Sequence, residues 1–78
     1  MITQLDAEGA ERVWRVRRTH AWIDAQLYAR DDAVAYELRI LFDGNLIFSR
    51  TWPTREAALA FASAQLRELQ RVGWTTHW

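Results

Sequence analysis

Tyr36-Glu-Leu-Arg-Ile-Leu-Phe-Asp-Gly-Asn-Leu-Ile-Phe-Ser-Arg-Thr-Trp52 decides the fold. Tyr36, Leu38, Ile40 and Phe42 alternate with Glu37, Arg39 and Leu41, and a period of two is that of a strand with one buried face. Asp43-Gly44-Asn45 is a strong turn signal, and Leu46–Trp52 reads as the returning strand. Two registers are open. A two-residue loop of Asp43-Gly44 would pair Leu41 with Leu46 and Arg39 with Phe48, mixing charge and apolar bulk on each face. A three-residue loop of Phe42-Asp43-Gly44 would pair Ile40 with Leu46 and Leu38 with Phe48. It gathers Tyr36, Leu38, Ile40, Leu46 and Phe48 on one face and Glu37, Arg39, Ile47, Ser49 and Thr51 on the other. A slip of one residue exchanges the faces, so segregation favours the three-residue loop.

Downstream, Pro53 stops the strand and Thr54 suits a helix N-cap, with Glu56 in the first turn. The helix is predicted over Arg55 to about Val72. Gly73 ends it, and Arg67 and Arg71 lie in its last turns. Ala58, Leu59, Ala62, Leu66 and Leu69 form one stripe, bordered by Phe61 and Val72, to cover the apolar sheet face. Upstream, Ala21, Ile23, Ala25 and Leu27 alternate with Trp22, Asp24, Gln26 and Tyr28, giving an earlier strand. Arg30-Asp31-Asp32 is a polar connection. The expected fold is therefore α+β: a three-stranded antiparallel sheet followed by one C-terminal helix on one face, β-β-β-α, with an extended N-terminal segment. Residues 1–11 read as a loose lead-in and 12–78 as a single domain. Arg12–Arg18 is ambiguous. Joined to the next strand it would make 17 residues, about 56 Å long, so the sequence leaves three courses: it extends that strand, bends and folds back at Arg17–Thr19, or reaches a second protomer.

Composition narrows the classes. The 78 residues hold ten arginines, no lysine, ten acids and no cysteine, with zero formal charge and half the residues apolar. This is too apolar for a disordered tail, and the absence of cysteine excludes a disulfide scaffold, a thiol enzyme and a cysteine-based zinc module. No apolar run is long enough to cross a membrane as a helix. The amino terminus lacks a cationic, apolar leader, and a cytoplasmic location is expected. A domain this small has a stability of a few kcal/mol, which favours association with a second copy or a partner.

The pattern Trp14-x-Val-Arg-Arg-x-His-x-Trp-Ile-Asp-Ala, then Tyr36-Glu-Leu-Arg, Arg50-x-Trp-Pro-Thr-Arg-Glu-x-Ala and Gly73-Trp74 with His77-Trp78 resembles a group of small uncharacterised bacterial proteins. The resemblance spans residues 14–78. It implies a complete small protein and carries no catalytic residues with it.

Five tryptophans in so short a chain supply large buried area. Trp52 and Trp74 are expected to close the core. Trp22 lies by alternation on the face away from Ile23, together with Tyr28, Leu41 and Ile47. One helix covers one sheet face, which leaves this second face open. The candidate interface is Trp14, Trp22, Tyr28, Arg39, Leu41 and Ile47, and the expected partner is a second copy or another protein, docked through the open face, an edge strand or the Trp14 segment. The cluster Arg12, Arg15, Arg17 and Arg18 supports an alternative, a nucleic-acid-binding module with an exposed tryptophan for stacking. Zero net charge weighs against that alternative. His20 and His77 have no partners at metal spacing, no serine has a base beside it, and no glycine-rich phosphate loop is present. A non-enzymatic interaction or regulatory module with no metal, cofactor or small-molecule ligand is the expectation.

Overall fold

A computed structural model describes residues 10–30 and 35–76. The lead-in up to residue 9, the Asp31-Asp32 connection and His77 lie outside the described residues. Among those described, the chain forms β1 (Glu11–Arg18), β2 (Ala21–Arg30), β3 (Ala35–Phe42), β4 (Asn45–Trp52), α1 (Arg55–Arg71) and β5 (Thr75–Thr76). The strands make one antiparallel sheet in the order β4-β3-β2-β1-β5. The α+β class stands, but the expected three strands are corrected to five.

The fourth long strand is the ambiguous Arg12–Arg18 segment, which folds back on β2. Arg18 pairs with Ala21 across a two-residue turn of Thr19 and His20. Thr19 sits there at φ 55, a conformation that a β-branched side chain resists. The chain thus turns where no glycine, asparagine or proline announces it. Changing Thr19 to Gly is expected to relieve this strain and stabilise the fold by about 1 kcal/mol, raising the melting temperature by several degrees. Thermal unfolding followed by circular dichroism checks it.

The β3–β4 hairpin corrects the expected register. The loop is the two-residue one: Phe42 pairs with Asn45 and Leu41 with Leu46. Asp43 and Gly44 take φ 50 and 85, both positive, as a type I′ turn requires. Segregation of the faces is recovered one step later. The register shifts so that Ile40 pairs with Phe48, leaving Ile47 as an extra, bulged residue. Phe48 and Trp52 then face the helix, as the pattern demanded, whereas Leu46 moves to the open side opposite Leu41.

The helix follows its signals closely. Thr54 Oγ1 accepts the Ala57 N–H at 3.1 Å, and Gly73, at φ 107, follows the C-cap Val72. At ~1.5 Å per residue α1 spans roughly 26 Å, enough to cross from β4 to the far edge, where β5 joins β1. Ala58 and Ala62 are fully buried against the sheet. Their small side chains leave room for Trp14, whose indole N–H donates to the Ala62 carbonyl at 2.9 Å. Val16, Ile23, Ala25, Leu27, Leu38 and Ile40 complete the core. Phe48 stacks on Phe61 and Trp52 tilts against the same ring at one end, and Trp74 meets Phe42 edge-on at the other. Arg55 grips both oxygens of Glu11, at 2.9 and 2.8 Å, and ties the helix start to β1. No helix among the described residues is long and apolar enough to cross a membrane.

Candidate functional site

The helix covers one face of the sheet. The opposite face is built by strand alternation and cross-strand pairing. Arg17 stands opposite Trp22, Arg15 opposite Asp24 and Arg12 opposite Gln26 on β1 and β2. Asp24 faces Leu41, Gln26 faces Arg39 and Tyr28 faces Glu37 across to β3. A bulge at Val13 makes this possible, because it brings both Arg12 and Arg15 to the open side despite their odd spacing.

Two polar clusters occupy this face. In the first, Arg15 holds Asp24 with Nε and Nη2, the latter at 3.0 Å. The guanidiniums of Arg15 and Arg17 lie 5.1 and 5.0 Å from the Trp22 ring centre, within cation–π range. The hairpin turn is pinned beside it: the Trp22 N–H donates to Asp43 Oδ1 and the Asp43 N–H donates to the Trp22 carbonyl, both at 2.9 Å. Arg15, Trp22, Asp24, Asp43 and Gly44 line a depression of about 370 Å³.

In the second cluster Glu37 is the hub. Its Oε2 accepts Arg39 Nε at 2.9 Å and Ser49 Oγ at 2.6 Å, and its Oε1 accepts Arg30 Nη1 at 3.2 Å. The hydrogen bonds from Arg39 and Ser49, with a smaller contribution from Arg30, lower its pKa to about 2. The Arg39 guanidinium lies 4.3 Å from the ring centre of Tyr28, whose hydroxyl donates to Gln26.

The sequence-predicted residues therefore separate. Trp22, Tyr28, Arg39 and Leu41 share the open face, as alternation required. Trp14 does not: it is 2% exposed and sits beneath the helix. Ile47 also leaves the open face, because the bulge turns it toward the helix side. There it lines a cavity of about 230 Å³ with Phe48, Phe61 and Leu69. Of the arginine cluster, Arg12, Arg15 and Arg17 stand on the open face, whereas the Arg18 guanidinium lies near Gly73 on the other side.

Alternation points to an edge strand as one docking route without identifying which; β4 is such an edge. It ends the sheet, and Leu46 and Ile47 are 55% and 60% exposed there. Its signal was the absence of proline and acidic residues from Asn45 to Trp52, on a strand bound to be an edge whenever the hairpin ends the meander. No group of three histidine, aspartate or glutamate side chains among the described residues could hold a metal ion. Searches against protein-family models, curated proteins and solved structures return no match to this chain.

Proposed function

We propose that the protein is a small non-enzymatic interaction module that self-associates, and that β4 is the edge through which two copies meet. The observation that carries this reading is an eight-residue edge with no strand on its outer side among the described residues, bearing two exposed aliphatic side chains, Leu46 and Ile47. Backbone groups on such an edge accept another strand, and natural proteins usually blunt them with charge. Here Arg50 is the only charged residue from Asn45 to Trp52. Antiparallel pairing of β4 with its own copy about a twofold axis uses both edges at once and closes the assembly. The bulge at Ile47 interrupts the ladder and opposes open-ended growth.

The open face is a poorer surface for a second copy. Among the described residues Arg12, Arg15, Arg17, Arg30 and Arg39 there outnumber Asp24, Glu37 and Asp43, and like would meet like. The same clusters argue against acid–base catalysis. Asp24 is engaged by Arg15, and Glu37, with its pKa lowered to about 2, is a weak base and has no proton to donate at neutral pH.

Analytical ultracentrifugation from low to high micromolar concentration tests the reading. The wild-type chain should sediment as a dimer at the upper end. The double substitution Leu46→Glu and Ile47→Glu places like charges on facing edges and should weaken association at least tenfold while the circular dichroism spectrum is retained. A wild-type chain that stays monomeric throughout ends the proposal.

A further inference from the structure

From the open sheet face we infer a second, separate site: a platform for single-stranded nucleic acid, centred on Arg15, Arg17 and Trp22. It is distinct from the β4 edge and does not depend on self-association there.

Charge supports it first. The chain is neutral as a whole, but five arginines share this face with three carboxylates among the described residues, Asp24, Glu37 and, at its margin, Asp43. Asp24 is engaged from within by Arg15, and Glu37 by Arg39, Ser49 and Arg30. Asp43 spends Oδ1 on the Trp22 backbone. A guanidinium has five N–H donors. Arg15 gives Asp24 only its Nε and one terminal nitrogen, and Arg17 gives only Nε to the Thr19 carbonyl. Terminal donors of both remain for an anion. The Arg12 Nε is buried with no hydrogen-bond partner, one strand position from the same column. The face is thus locally cationic in a neutral protein, and its cations are held in place by the acids that partly offset them.

Flatness is the second observation. Trp22 lies within 5.1 Å of two guanidinium carbons, and Tyr28 lies under a third. Planar cations and rings set on a sheet present stacking surfaces, and unpaired bases stack on aromatic rings and on arginine planes alike. A folded acidic protein would use the charge but not the planes. Residues two apart on one strand face stand about 6.6 Å from one another, so Arg15 and Arg17 can take separate phosphates. A duplex, whose bases are already stacked, would gain nothing from Trp22.

Fluorescence anisotropy with labelled single-stranded oligothymidylate and oligouridylate tests this on the wild-type chain. Binding is expected at low salt. It should weaken with a log–log salt slope near −1.4, about −0.7 for each of the two phosphates neutralised. Arg17 is exposed, so Arg17→Glu should leave the circular dichroism spectrum unchanged and weaken binding at least tenfold with a shallower slope. Trp22→Leu should cost roughly tenfold through lost stacking, with little change in slope. The inference is overturned by any of four results: no binding at low salt, tighter binding to a duplex of the same length, equal competition by polyglutamate, or wild-type affinity in both variants.

Discussion

Trp14→Ala is expected to unfold the domain. The indole is 2% exposed, packs between the sheet and the buried Ala58–Ala62 stripe, and donates its N–H to the Ala62 carbonyl at 2.9 Å. Truncating a buried tryptophan costs about 3–5 kcal/mol. A core of this size supplies about 3–5 kcal/mol in total, so the two terms cancel and the native population collapses. Trp14→Phe separates packing from hydrogen bonding. It keeps a ring but removes the donor and leaves a small void, at a cost of roughly 2 kcal/mol. In urea titration its midpoint should fall with the slope unchanged, as for a two-state loss of stability. Trp22→Ala is the control. That indole is half-buried on the open face, so its removal should change the midpoint far less and leave a folded protein. The reverse order of sensitivity would mean that the two sides of the sheet had been exchanged.

The contrast between these two tryptophans shows how far the sequence could be read. Alternation within each strand placed Trp22, Tyr28, Arg39 and Leu41 on the open side, because a period of two needs no knowledge of neighbouring strands. The helix was equally legible, since Thr54, Glu56 and Gly73 are local signals and Ala58 and Ala62 follow one stripe. What failed was punctuation. The β1–β2 turn uses Thr19 at positive φ in place of glycine or asparagine, so the sequence does not decide whether Arg12–Arg18 extends the next strand, bends and folds back or reaches a second protomer, and Trp14 has no core assigned to it. Yet Trp14 and Val16 already alternated with Arg15 and Arg17, the pattern of a strand with a buried side. The β3–β4 register failed for a related reason. A bulge at Ile47 performs the face correction that a longer loop could have performed, and no residue type marks it. The Arg15–Asp24 pair was hidden behind the same turn, because residues nine apart meet only once Arg18 is set opposite Ala21. β5 is two residues long and depends on where the helix delivers the chain, so it has no pattern of its own.

Glu37→Gln is expected to destabilise the protein by roughly 2 kcal/mol at neutral pH, with an effect that disappears in acid. Glu37 is 8% exposed, and its carboxylate accepts from Arg39, Ser49 and Arg30. Those donors lower its pKa to about 2 from an ordinary 4.5. A shift of that size corresponds to about 3 kcal/mol of preference for the ionised form, reduced here because Arg30 and Arg39 are themselves 44% and 38% exposed. The sign follows from linkage. The unfolded chain takes up the proton near pH 4.5, whereas the folded chain resists until about pH 2. The stabilisation is therefore complete above pH 4.5 and is lost as pH falls through the folded value. Urea midpoints measured for wild type and Glu37→Gln between pH 7 and 2 should converge from about pH 4.5 downward. A gap that persists unchanged at pH 2 would mean that shape and neutral hydrogen bonds, rather than the charge on Glu37, hold Arg39, Ser49 and Arg30 together.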